Sequence, residues 1–226
     1  MRDSGAGRAF ALRRAVARRS TLLILFTTSF IALHSQVRLP PHPDQAGFTR
    51  KLVSAAIERT HHSVRYVSDY VSIPYPGGDV PPSTGVCTDE VIRSYRVVGI
   101  DLQQEVHEDM ARHFDLYPHK WQRRPDANID HRRVPNLMVF FSRKGEKLPM
   151  TTRAEDYSPG DIVAWDLGGG ITHIGVVVDR RGASGRYMVV HNIGRGPQME
   201  DVLFDWKVIG HYRYYGPLTI SASVPY

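Results

Sequence analysis

A single cysteine in 226 residues closes several routes at once. A lone thiol forms no intramolecular disulfide and builds no Cys-rich zinc site, which excludes a disulfide scaffold and a structural zinc module. No His-Glu-x-x-His motif or comparable cluster is present, so no metal or other cofactor is expected. Internal repeats and low-complexity tracts are missing as well, which removes solenoid, collagen-like and fibrous readings. The net charge of +6 is little more than an N-terminal excess: six of the 29 Lys and Arg but one of the 23 Asp and Glu lie in residues 1–35. The remainder stands at +1, too little for counterion release to drive nucleic-acid binding, and no nucleic-acid partner is expected. Arg123, Arg124, Arg132 and Arg133 read as a solvated surface. What the chain does have is large apolar side chains, with 11 Tyr, 8 Phe, 3 Trp and 42% hydrophobic residues, enough for a sizeable core.

The six early arginines precede Thr21 to Leu33, an uncharged and mostly apolar run. That order is the n-region and h-region of an export signal. Thirteen helical residues rise about 20 Å against a ~30 Å hydrocarbon core, so a cleaved signal is preferred over a permanent anchor. Leu33-His34-Ser35 is a poor small-x-small cleavage site, which keeps an uncleaved anchor open, and the general secretory route is preferred over a twin-arginine one despite Arg18-Arg19. The expected division is therefore residues 1–35 as signal or anchor, 36–43 as a stiff linker around Pro40, Pro41 and Pro43, and 44–226 as one domain. A periplasmic or secreted protein follows, touching the membrane only through its N-terminal segment if that is retained.

In the body, Asp44 is placed to cap a helix that buries Phe48, Leu52, Ala55 and Ala56 and runs to about Arg59. Extended chain is expected from Tyr66 to Ile73, then a long irregular loop containing Pro74, Tyr75, Pro76, Gly77 and Gly78. Val91, Ile92, Tyr95 and Val98 recur at helical spacing before Gly99, so Cys87 opens a helix that Gly99 ends. A second helix is expected after Asp101, with Gln104 completing a capping-box-like pair, Val106, Met110 and Phe114 buried, and Pro118 as the stop. Leu137 to Phe141 reads as an apolar strand. Ser158-Pro159-Gly160-Asp161 is a type II turn signal, followed by strands at Ile162 to Trp165, Ile171 to Asp179, Tyr187 to His191 and Ile209 to Tyr215. Helices first and a compact antiparallel sheet last is an α+β arrangement. Trp121 and Trp165 line a groove or fill core, with core preferred for Trp165.

A thiol at a helix start faces unpaired backbone N–H groups and the positive end of the helix dipole, both of which favour thiolate. Cys87 is thus a candidate nucleophile, against the alternative of a small buried hydrophobe. The same N–H groups suit an oxyanion. His173 and His191 lie on consecutive strands, nearly equidistant from the turn at Gly182 to Gly185, which places them side by side; Gly175 leaves room for a close backbone approach. One histidine as base and the other as its orienting partner completes a nucleophilic site. Asp130, His131, Arg132 and Arg133 suggest either a clamp for substrate carboxylates or a buried ion pair, and Asp89 reads as a helix-start acid.

The succession of a helix-start Cys87, the strand after Pro159-Gly160-Asp161, the strand of His173-Ile174-Gly175 and the strand-end His191 resembles the NlpC-type papain-fold cysteine peptidases. Gly85-Val86-Cys87-Thr88-Asp89, Asn128-Ile129-Asp130-His131-Arg132-Arg133, His191-Asn192-Ile193-Gly194 and Gly210-His211-Tyr212-Arg213 resemble a narrower bacterial group, domain-of-unknown-function family 1287. The resemblance implies a papain-like (NlpC-type) fold with N-terminal helices packed on the C-terminal sheet. It also implies a catalytic triad of Cys87, His173 and His191, with Tyr75 helping the Cys87 N–H at the oxyanion. The family's usual Asp-Cys-Ser-Gly is replaced here by Val86, Cys87, Thr88 and Asp89, and the segment between helix and sheet is longer. The implied activity is hydrolysis of amide bonds in peptidoglycan peptides by a monomeric exported enzyme. Two alternatives stay open: acyl transfer to a lipid or amine, and a non-catalytic envelope-binding module.

Overall fold

The computed structural model describes residues 44–120 and 123–217. The signal, the linker up to Pro43 and Trp121 lie outside the described residues. Helix α1 (Gln45–Arg59) starts at Asp44, whose carboxylate accepts the Gly47 N–H at 2.8 Å, and buries Leu52, Val53, Ala55 and Ala56. Two short strands, β1 (Arg65–Tyr66) and β2 (Thr84–Gly85), pair in parallel and flank the irregular Pro- and Gly-rich loop. Beyond Tyr66 the segment to Ile73 forms no further strand.

Helix α2 (Cys87–Val97) ends as its glycine demands. Gly99 has φ of +83°, and the N–H groups of Gly99 and Ile100 return to the carbonyls of Arg96 and Tyr95, a Schellman closure. Every residue of this helix from Cys87 through Tyr95 is buried. Its polar side chains therefore need partners. Asp89 takes a two-pronged bond from Arg132 at 2.9 and 3.0 Å, Glu90 accepts from Arg59 at 2.8 Å, Arg93 donates to Asp79 at 2.9 Å, and Ser94 donates to the Glu90 carbonyl at 2.7 Å.

Helix α3 (Leu102–Arg112) is capped by the Asp101 carboxylate, which accepts from the Gln103 N–H; Gln104 turns away to Glu108 instead of completing the expected box. The helix stops earlier than the sequence suggests. Val106 and Met110 are buried, whereas Phe114 sits half-exposed in a 3-10 turn, Phe114–Leu116. A second such turn, Asp130–Arg132, leads into helix α4 (Val134–Lys144). Here the expected strand at Leu137 to Phe141 is corrected. An unbroken apolar run does not by itself distinguish strand from buried helix. Pro135, in the first turn where its missing N–H costs nothing, decides it, and burial of Val134, Leu137, Phe140 and Phe141 follows the 3.6-residue period.

The main sheet is antiparallel with six strands in the order β3-β8-β4-β5-β6-β7. These are β3 (Glu146–Lys147), β4 (Ile162–Asp166), β5 (Thr172–Arg181), β6 (Tyr187–His191), β7 (Gln198–Glu200) and β8 (Lys207–Arg213). The expected turn precedes β4, with Gly160 at φ +89° and the Asp161 N–H closing on the Ser158 carbonyl. Because side chains alternate along a strand, the sheet has two distinct faces. Ile162, Ala164, Ile174, Val176, Val178 and Val190 join the helical core with Leu52, Ile92 and Phe141. Val163, Trp165, Val177 and Val189 face Tyr157 and Leu203 on the other side. Both faces being covered accounts for the continuous apolar run in β5. The described fold is thus α+β, four helices against one antiparallel sheet, with no described helix long and apolar enough to cross a membrane.

The pairing of Asp89 with Arg132 generates a test. Asp89→Ala leaves a buried guanidinium uncompensated and should cost about 3 to 5 kcal/mol in urea unfolding, while the double variant Asp89→Ala/Arg132→Met should recover much of that loss. A single-variant loss below about 1 kcal/mol, typical of a surface pair, would contradict the structural role.

Candidate functional site

Cys87 is the first residue of α2, its N-cap neighbour Val86 extended and bonded through its N–H to the Asp89 carboxylate at 2.7 Å. The sulphur meets three backbone N–H groups: its own, that of Thr88, and that of Ile174 on β5. The third is open to it because β6 stops at His191, one position short of facing Ile174. Those amides favour thiolate, as the sequence suggests, yet the balance goes the other way. Burial, with the Asp89 carboxylate adding to it, pushes the Cys87 thiol up to about 12. The residue is 5% exposed, so at rest it is a neutral thiol and not the thiolate expected from its helix position.

The two histidines do meet. Val176 pairs with Val190, so His191 lies beside Gly175 and diagonal to His173, and His173 Nε2 stands 2.9 Å from His191 Nδ1. A side chain at position 175 would forbid this: its Cβ would stand 2.8 Å from the Val190 carbonyl and 3.1 Å from the His191 Cβ. Trp165 stacks on His173 with centroids 5.7 Å apart, and Trp206 lies edge-on to both imidazoles at 6.0 Å. Trp165 is core, as expected, held by its Nε1 bond to the Leu203 carbonyl, and it also forms one wall of the histidine pair.

A third group completes the chain. Glu200 Oε2 on β7 stands 3.0 Å from His191 Nε2. That contact is at ion-pair distance, without a hydrogen bond from His191 Nε2; His173 Nε2 and His191 Nδ1 share one hydrogen bond whose direction follows the tautomers, and His173 Nδ1 makes no hydrogen bond among the described residues. Burial and the neighbouring His191 bring His173 down from 6.5 to about 3, and burial lowers His191 against the opposing pull of Glu200. Both rings rest neutral. Ile174, whose amide meets the sulphur, directly follows His173 on β5, but the sulphur packs with the helical-face residues Ile174, Val176 and Val190 while the imidazoles lie on the face of Trp165 and Val177. No hydrogen bond joins the sulphur to either ring among the described residues.

The remaining expected residues divide. Tyr75 is exposed, its ring edge-on to His107 on α3 at 5.1 Å. The tyrosine in the electrostatic reach of the thiol is Tyr66, raised to about 12 by burial and by the charges of Cys87 and Asp89. Asp130 is wholly buried, taking His107 Nδ1 and the Asp126 N–H at 2.8 Å each. His131 is buried and neutral, brought to about 3 by burial and by Arg132. Arg132, forked on Asp89, forms the ion pair that was one of its two readings. Arg133 caps α4, and burial lowers its guanidinium. Sequence reasoning missed Tyr66, Glu200 and Trp206. Only the Trp206 aromatic carried a local signal; the other two are placed by tertiary pairing. Among the described residues no group of three His, Cys, Asp or Glu side chains is arranged to hold a metal ion.

Two pH dependences follow. Iodoacetamide should alkylate Cys87 at pH 7 more than about a hundredfold slower than free cysteine, with the rate rising roughly tenfold per pH unit toward pH 12; a plateau at neutral pH would refute the raised thiol. For His131 and His173 the folded value lies below the unfolded one, so the unfolded chain binds more protons between pH 6.5 and about 3 and stability falls as pH drops through that window. Denaturant titrations of His173→Gln should show that slope reduced by about 1.4 kcal/mol per pH unit.

Comparison with known proteins is consistent with the shared motifs. A protein from Escherichia coli (strain K12), described as "Uncharacterized protein YijF", is 50% identical over 172 residues, covering 76% of this chain and 84% of that protein. The family model described as "Domain of unknown function (DUF1287)" matches residues 53–214, a span that contains the thiol, both imidazoles and Glu200, and the chain belongs to that family.

Proposed function

We propose that this protein is a cysteine-dependent amide hydrolase with a papain-like, NlpC-type arrangement, acting in the cell envelope on the peptide part of peptidoglycan. One observation carries the reading: Glu200, His191 and His173 stand in succession at 3.0 and 2.9 Å, and His173 directly precedes the residue whose amide meets the Cys87 sulphur. In the reaction the Cys87 S–H proton passes to His173 Nδ1 as the sulphur bonds to the scissile carbonyl carbon, and the carbonyl oxygen takes up the negative charge. The backbone N–H groups around the sulphur stabilise that oxygen. Collapse breaks the C–N bond, His173 returns the proton to the leaving amine, and water then cleaves the thioester to a carboxylate. His191 holds the His173 ring and shares its transient positive charge with Glu200. Since thiol and base both rest neutral, proton transfer accompanies attack instead of preceding it. The export-type leader and the lone, undisulfided cysteine fit an envelope enzyme.

Incubation of the full chain with purified wall peptides, followed by mass spectrometry, tests this. The expected result is a new amine and a new carboxylate in equal amounts, with Cys87→Ser and His173→Ala each reducing the rate about a thousandfold or more. Retained activity in Cys87→Ser would overturn the mechanism, an amine released without its carboxylate would indicate acyl transfer, and no new amine from any wall peptide would overturn the substrate assignment.

A further inference from the structure

Among the described residues three side-chain amides are fully buried: Gln103, Asn136 and Asn192. The first two spend their N–H donors on carbonyls, Gln103 Nε2 on Pro74 and Ala127 and Asn136 Nδ2 on Asp130. Asn192 differs. Its Oδ1 accepts the Gly194 N–H at 3.1 Å, and since an N–H donates only to an acceptor, this bond fixes which end of the amide is oxygen. The Nδ2 group is thereby left with both hydrogens, shut away from solvent and without an acceptor among the described residues. Buried donors of this kind are rare in folded proteins and require an oxygen to receive them.

The place of Asn192 says which oxygen. Val176 pairs with Val190, and the same register continued past the end of β6 sets Asn192 level with Ile174, which packs in one core with Val190 and Cys87. Ile174 is the residue whose backbone N–H meets the sulphur. Two donors, one on each side of the point where β6 ends, thus stand at the thiol end of the sheet, and neither has a backbone ladder partner there.

We propose that Asn192 Nδ2 is an oxyanion donor, hydrogen-bonding the carbonyl oxygen of the acyl group that Cys87 attacks. The role rests on the Cys87 nucleophile proposed above and adds to it the side chain that stabilises the developing charge.

The test uses the full chain with Asn192→Ala and Asn192→Leu, both neutral and lacking the donor, and two probes of Cys87 at one alkaline pH. Iodoacetamide alkylates by displacement and generates no oxyanion, whereas p-nitrophenyl acetate transfers its acetyl group to the sulphur through a tetrahedral oxyanion and releases p-nitrophenol. Loss of one such donor is expected to slow acetylation about 10²- to 10³-fold while alkylation changes less than about threefold. Circular dichroism reports folding, and the Leu variant, which keeps the volume, decides if the Ala variant is unfolded. Equal rates of acetylation in variant and wild type, or a parallel fall with both probes, would overturn the proposal and leave the nucleophile standing. Absence of acetylation in the wild type would overturn the nucleophile and the proposal together.

Discussion

A carboxylate and a guanidinium shut away from water together fix the first turn of α2. Asp89 binds Arg132 with both oxygens and the Val86 N–H with one of them, while Arg132 also donates to the carbonyls of Asp69 and Val67. Three separate stretches of chain, residues 67–69, 86–89 and Arg132, are thus tied to the position of Cys87. Desolvating such a pair is expensive, and a well-packed apolar pair of similar volume often serves stability better. What the ions provide is direction: the fork geometry allows one orientation of the helix start relative to the chain that covers it.

That orientation places the sulphur where two tendencies oppose each other. Exposed backbone amides at the end of a helix and at the end of a paired strand draw charge onto the sulphur, while the surrounding Ile174, Val190 and Val91 make charge costly. Burial wins, and it wins at the imidazoles as well, where two indoles and a second ring displace water. A site built this way holds its thiol and its imidazoles in uncharged form.

Much of this is legible in the sequence. Asp44, Gly99 and the Pro159-Gly160 corner are local signals, set by caps and backbone angles that need no distant partner, and each lies where the sequence puts it. The strands β4, β5, β6 and β8 follow from apolar runs between turns. Fold class is therefore readable, as is the approach of His173 and His191 across one hairpin, although an irregularity between Val177 and Arg181 shifts the register and sets them diagonal instead of side by side. The run at Leu137 to Phe141 reads as strand but folds as helix, because five consecutive apolar residues satisfy either period equally well; Pro135 is the residue that separates the two. Glu200 is invisible for a different reason: its strand has three residues, and its neighbour is chosen by the register of β6. Tyr75 draws attention through adjacent glycines, whereas Tyr66 approaches the thiol through a two-residue parallel pair that no periodicity reveals. The helix-start position of Cys87 is clear from sequence, but the depth of its burial, which reverses the expected effect, is a property of the assembled core.

The described sheet is bounded by strands of two and three residues, β3 and β7. A long flat border would expose a row of unpaired amides and carbonyls on which another extended chain can dock, and with it a path to aggregation. Here the borders are too brief to template such growth, and the strands richest in valine, β5 and β6, sit inside them. The most adhesive part of the molecule is thereby kept from its own copies by a few polar residues on either flank.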